Sequence, residues 1–319
     1  MMQGIWLENQ ELSFREDIPE PELSEGEALI RTRLAGICST DLELVRGYYP
    51  YSGVLGHEFV GEVVEAPSAE GLEGKRVVGE INAVCGECVH CRQGRPRHCL
   101  NRTTLGISGR DGVFGEFFTL PVENLLIVPE SIPDRKAVFV EPLAAAVEII
   151  DQTHIKPTDS VLVVGAGRLG QLISQVLCLT GCDLKVVVRH DHQRHLLEGR
   201  GICTISEEEV PSGSADVVVD ATGVPGGFKV ARQAVRPRGK FVLKSTYAEN
   251  LTFDASALVV DEISLIGSRC GPFEPALRLI EKNLVDPSIL ISEELPLSAG
   301  LRAFQRAKQP GVLKVVLTY

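Results

Sequence analysis

Residues 161–267 repeat one rhythm. "SVLVVGAG", "LKVVVR", "ADVVVDATG", "GKFVLKST" and "SLIGS" are continuous apolar runs, and "RLGQLISQVLCLTG" and "PGGFKVARQAVRP" are amphipathic segments lying between them. A strand that is apolar on every residue, rather than on alternate ones, is buried on both faces, which requires helices on both sides of a parallel sheet. The fold class expected here is therefore α/β, a doubly wound parallel sheet. Within it, "VLVVGAGRLGQL" places Gly165, Gly167 and Gly170 in G-x-G-x-x-G spacing, with Arg168 and Leu169 between the last two. The motif follows a strand and opens a helix, where glycines permit a tight turn and let a pyrophosphate approach the helix N-terminus. A tight strand-to-helix turn without a ligand is the plainer reading of the same residues.

The end of the second strand selects the dinucleotide. An NAD site of this kind has an acid about 20 residues beyond the glycines, bonding the ribose 2′-hydroxyl. Here that place falls on Arg189, with His190, His192 and Arg194 nearby. A cation there suits a 2′-phosphate, so NADP is expected ahead of NAD. The alternative is that Asp191 takes the acid's role one turn late.

The remainder has a different texture. "GEALIRTRLAGI" (26–37), "EFVGEVVEA" (58–66) and "GKRVVGEINAV" (74–84) are short β-branched or alternating runs broken by Gly and Pro, so residues 1–140 read as β-rich. The tail returns to helix in "FEPALRLIEKNL" and ends on the strand "VLKVVLTY", with no repeat and no low-complexity segment. A chain of 319 residues accommodates about two domains. The net charge of −11 argues against nucleic acid or an anionic membrane as partner. No apolar run approaches the roughly 18 residues that span a bilayer, and "MMQGIWLENQE" has no basic segment leading into an apolar one. A cytoplasmic protein is expected.

In a reducing compartment, clustered cysteines are metal ligands or catalytic groups more often than disulfides. "CGECVHCRQGRPRHC" supplies Cys85, Cys88, Cys91 and Cys99, the donor set of a closed tetrahedral zinc site that stabilises structure; His90 and His98 inside the lobe are then bystanders. Cys38 stands apart in "LAGICSTDLEL", and His57-Glu58 follow Gly56 in "GVLGHEF". A catalytic zinc needs a few protein ligands and one open position. Cys38 and His57 offer two. Glu141, a carboxylate in the apolar "VFVEPLAAAVEII", offers the third, and Glu58 either joins them or exchanges with water.

Cys38-Ser39-Thr40-Asp41, Gly56-His57-Glu58, the four-cysteine lobe, Glu141-Pro142 and the glycine motif follow one another in an order that resembles the zinc-dependent medium-chain alcohol and polyol dehydrogenases, along essentially the whole chain. Glu141 in place of a cysteine makes the sorbitol, glucose and threonine dehydrogenase branch the nearer one. The resemblance implies a β-rich GroES-like catalytic domain of residues 1–145, completed by 276–319, with a Rossmann domain of 146–275 between. It implies two zinc ions per chain, a small alcohol or ketone as substrate, NAD(P) as cofactor, and a homodimer or homotetramer. By the same resemblance the Thr40 hydroxyl bonds the substrate oxygen and Asp41 orients the His57 imidazole, where plain helix capping is the alternative for both. Lys314 would reach the cofactor phosphates.

Two departures stand out. Many members carry a proton-relaying histidine five residues after the ligand cysteine, where this chain has Glu43. And only "SEEEVPSGS" separates "ICTI" from "ADVVVD", so the helix expected between those strands is truncated or absent. Two rival readings use the same scaffold: a dinucleotide-binding protein with structural zinc alone, and a zinc-free quinone or enone reductase. Neither needs Cys38, His57 and Glu141 together. Tyr48, Tyr49 and Tyr51 either line a cleft or pack a loop.

Overall fold

The computed structural model describes residues 1–247 and 250–319, and the chain divides into two compact units, Met1–Glu141 with Phe273–Tyr319, and Pro142–Pro272. The second unit holds the expected parallel sheet. Its six strands lie in the order Cys203–Ile205, Asp183–Val187, Ser160–Val164, Ala215–Asp220, Val235–Leu243 and Ser264–Gly267. All neighbours are parallel, and Val164 stands opposite both Val187 and Asp220. Chain order thus reverses on either side of Ser160–Val164. At such a switch point, loops leave the carboxyl ends of the two central strands in opposite directions, and the crevice between them receives ligands.

The helix Arg168–Cys178 covers this sheet with Leu172, Ile173, Val176 and Leu177, all buried. Phe228, Ala231 and Ala234 of the helix Pro225–Ala234 pack with Leu162, Val218 and Phe241 of the strands. The short crossover contains a three-residue 3-10 helix, Glu207–Glu209, instead of a full α-helix.

The first unit is β-rich. Its larger sheet is built around Glu27–Gly36, which pairs with Glu58–Glu65 on one side and with Lys314–Thr318 on the other. Gly36 lies opposite Glu58 in one neighbour and Val316 in the other, so the last strand is brought beside residues from the first third of the chain. Edge-to-face ring pairs, Phe59 with Phe118 and Phe114 with Phe304, fill the core beneath. Among the described residues no helix is long and apolar enough to cross a membrane.

Candidate active site and metal centres

The helix Ser39–Val45 begins at Cys38, and Asp41 closes a capping box by accepting from the Cys38 backbone N–H at 2.7 Å. The other oxygen of that carboxylate lies 3.2 Å from His57 Nδ1, with both groups buried. One Asp41 oxygen thus caps the helix, and the other faces the His57 ring. His57 is placed by Gly56, whose φ of +98° turns the chain and whose missing Cβ would fall 2.5 Å from the Phe114 ring. The turn holds His57 just outside the strand that Glu58 opens, so the alternation of strand side chains does not yet separate them.

Cys38 Sγ, an imidazole nitrogen of His57 and a carboxylate oxygen of Glu58 lie within 4.8 Å of one another. Ligands about 2.0–2.3 Å from a zinc ion stand roughly 3.3–3.8 Å apart at tetrahedral corners, so this donor set suits zinc and leaves a corner free. Glu58 is 1% exposed; one oxygen accepts from the Lys314 ammonium, and the other, Oε1, has no hydrogen-bond partner among the described residues. Burial pulls the His57 imidazole down, but the neighbouring Asp41 and Cys38 charges outweigh it and hold the ring well above its usual range. The site is electronegative, as a cation site must be.

Two sequence expectations meet a different arrangement. Glu141, second residue of the helix Val140–Gln152, is not in the group within 4.8 Å, whereas Glu58, the other candidate, is. Burial pushes the Glu141 carboxyl up to about 7 against the pull of His57, with Glu58 and Glu80 adding repulsion. Lys314, expected at the cofactor phosphates, is 3% exposed, with its ammonium on Glu58, on the Ile37 carbonyl at 3.3 Å and above the Phe139 ring. Gly36 makes room for this pair, because a Cβ there would sit 2.5 Å from Glu58 Oε2 and 3.4 Å from Lys314 Cδ. No motif pointed to Gly36; its signal is visible only once the strand register is known. Tyr51 packs a loop, its hydroxyl bonded to the Val54 and Arg110 carbonyls, while Tyr48 and Tyr49 are exposed. Thr40 Oγ1 lies 3.8 Å from Cys38 Sγ, and Glu43 is turned to Arg46 at 2.6 Å.

In the cysteine lobe, Cys85, Cys88, Cys91 and Cys99 gather within 4.8 Å, and the group includes neither His90 nor His98. The sulfurs of Cys88 and Cys91 are 3.5 Å apart, and those of Cys99 and Cys85 are 3.4 Å apart. That is far beyond the roughly 2.05 Å of a disulfide and near the edge of a zinc–thiolate tetrahedron. Backbone N–H groups of Leu100 and Cys91 hold the Cys88 thiol down to about 6, favouring the thiolate a metal needs.

In the second unit the three glycines do three different jobs. Gly165 has φ +101°, and a Cβ there would meet Thr222 Cγ2 at 2.8 Å. Gly167, which precedes the helix Arg168–Cys178, would have nothing within 4 Å of its Cβ, the open approach that a pyrophosphate requires. At Gly170 a Cβ would fall 1.9 Å from the Gly165 carbonyl, so only glycine lets the helix seat on the turn. Leu169 lies in the first turn of that helix. Arg189 follows the second strand, 62% exposed, with Nη2 2.9 Å from Glu207 Oε2. Sequence reasoning missed Glu207; its only trace was the shortness of the crossover.

A dinucleotide-type sheet and two metal-donor clusters on one chain define a zinc- and nicotinamide-using oxidoreductase. Residues 24–130 match the alcohol dehydrogenase GroES-like domain. A sorbitol dehydrogenase of Halalkalibacterium halodurans is 30% identical over 94% of this chain and 94% of its own length, and the starvation-sensing protein RspB of Escherichia coli is 31% identical over 100% and 99%. Among solved structures, a protein described as a zinc-binding dehydrogenase of Sinorhizobium meliloti, bound to NADP, has a TM-score of 0.92 at 27% identity, covering 100% of this chain and 99% of that one. An alcohol dehydrogenase (rspB) of Escherichia coli in complex with NADH has a TM-score of 0.89 at 29% identity, with the same coverage. The chain belongs to the zinc-dependent medium-chain dehydrogenase/reductase family and is an oxidoreductase of the alcohol dehydrogenase type.

Proposed function

We propose that this protein transfers hydride between a secondary alcohol or polyol, or the matching ketone, and NAD(P), with catalytic zinc held by Cys38, His57 and Glu58. The observation that carries the reading is the buried Oε1 of Glu58, without a hydrogen-bond partner among the described residues, beside Cys38 and His57; these three donors would hold zinc with a position open to the substrate oxygen. When bound, zinc supplies Lewis acidity that makes the alcohol easier to deprotonate, and the nicotinamide supplies the hydride acceptor. Asp41 keeps the His57 ring oriented by taking its Nδ1 side, leaving Nε2 for the metal. The Thr40 hydroxyl, near Cys38, would bond the substrate oxygen and start the proton relay, passing its own proton on as it takes the substrate's. Glu43 faces Arg46, so the proton leaves by a route other than the family's usual histidine. Lys314 holds one oxygen of Glu58 while the other serves the metal, and Glu141 orders water beside it. The four-cysteine lobe takes a second, structural zinc.

The pyrophosphate belongs on the Gly165–Gly170 turn, with Arg168 at the head of its helix, and Arg189 is the partner for a 2′-phosphate, favouring NADP. The likeness to a sorbitol dehydrogenase favours a polyol as substrate. The protein is read as cytoplasmic. The homodimer or homotetramer is assigned to the sheet edge at Ser264–Gly267, where Leu265, Val259 and Val260 are exposed at 41%, 77% and 80%.

Metal analysis with a panel of alcohols and ketones, run with both cofactors, tests the whole reading. Two zincs per chain and turnover are expected. One zinc without turnover points to a binding protein, and none, with enone reduction, to the zinc-free reductase.

A further inference from the structure

The strand Cys203–Ile205 runs parallel to Asp183–Val187 with Ile205 opposite Val187. Two residues further along each chain, Glu207 and Arg189 emerge side by side at the same end of the sheet. The short crossover makes this possible. With a 3-10 turn in place of a full helix, the chain stays at the strand end, and the turn is anchored by its own capping box, Ser206 N–H donating to Glu209 at 2.7 Å. Glu207 is left free to reach Arg189, and it does, at 2.9 Å. The next cation, Arg194, is engaged elsewhere, on Thr204 at 2.8 Å and Glu198 at 3.7 Å.

We propose that Glu207 is the specificity-determining residue of the adenosine end of the cofactor site, an intramolecular counter-ion that a 2′-phosphate must displace from Arg189. The inference rests on the assignment of Arg189 as the phosphate partner. With Glu207 in place, Arg189 is already neutralised and a second anion meets a carboxylate. An unphosphorylated ribose meets that same carboxylate as a hydroxyl acceptor, which the second strand itself does not provide. Because the pair is exposed at 62% and 41%, displacing it costs little, and the site admits both cofactors instead of rejecting one.

The test is calorimetric and independent of turnover. Dissociation constants for ADP-ribose and 2′-phospho-ADP-ribose are measured on the zinc-loaded full chain, for wild type, Glu207→Gln and Arg189→Ala. Glu207→Gln is expected to shift the ratio of the two constants toward the phosphorylated ligand by about fivefold, the scale of one exposed charge pair. Arg189→Ala is expected to shift it the other way. If the ratio moves in Arg189→Ala but stays fixed or falls in Glu207→Gln, the role of Glu207 is overturned and that of Arg189 stands. If Arg189→Ala leaves the ratio unmoved, Arg189 is not the phosphate partner and both assignments fall.

Discussion

A Cys91→Ser chain is expected to lose one zinc and with it the order of the whole lobe between residues 84 and 102. Little apolar packing holds that lobe, and an Arg97–Glu80 ion pair at 3.4 Å links it to the residues at its base. Its short helix Val89–Arg92 and its 3-10 turn Pro96–His98 have no buried residue, Val89 and Leu100 are 52% and 68% exposed, and of the four sulfur-bearing residues Cys99 alone is buried. Below the size at which apolar burial can offset chain entropy, the metal supplies the folding free energy, about 10–16 kcal/mol for small zinc modules. Removing one thiolate leaves three and sacrifices most of that. Limited proteolysis should then cut within the lobe, and zinc content should drop by one per chain. The two-stranded pairing of Asn82–Ala83 with Thr103–Thr104 at the base ties the loss to the rest of the unit, so the melting temperature should fall as well. Normal zinc content with unchanged cleavage and melting would remove the structural-zinc assignment.

How much of this was legible in the residues depends on the range of the interaction that fixes each part. The parallel sheet announced itself because burial on both faces writes itself into every residue of a strand, and each of the five apolar runs is a strand of that sheet. The cysteine lobe was legible because its donors are local. The N-terminal hairpin of Met2–Glu8 and Glu11–Ile18 was not, since its two-residue turn is Asn9-Gln10, both at positive φ, without the glycine that usually marks such a turn. Contacts set by strand register were invisible for a stronger reason. Lys314 and Glu58 are 256 residues apart, and nothing in either neighbourhood says that Gly36 will bring them together. The family resemblance put Lys314 at the cofactor phosphates, and only the sheet pairing gives it Glu58 as its partner. Glu207 is the same case at shorter range, two residues past a strand whose register had to be known.

The sharpest consequence of that register concerns which glutamate holds the catalytic zinc. Glu58→Ala is expected to retain one zinc per chain, the lobe zinc, while Glu141→Ala retains two and turns over about 10- to 100-fold more slowly, the usual cost of losing a group just outside the ligand shell. The spacing of the sequence favoured the opposite, because adjacent ligands strain a tetrahedral shell and Glu141 arrives from a separate segment. The turn at Gly56 removes that objection by setting His57 outside the strand that Glu58 begins. Glu58→Ala also strands the Lys314 ammonium at 3% exposure with only the Ile37 carbonyl and the Phe139 ring beside it among the described residues, and breaking a buried pair in this way costs about 3–5 kcal/mol. Zinc loss in that variant alone would therefore be ambiguous between a missing ligand and a loosened sheet. Glu58→Gln separates the two, because its amide oxygen still accepts from Lys314 while the negative charge that favours the metal is gone. Its melting temperature, measured with zinc removed from both proteins, should stay near that of wild type, and its catalytic zinc should be lost to a chelator at a lower concentration. If instead Glu58→Gln holds its zinc as wild type does and Glu141→Ala gives it up, Glu141 is the ligand, and the Glu58–Lys314 pair is there for the sheet.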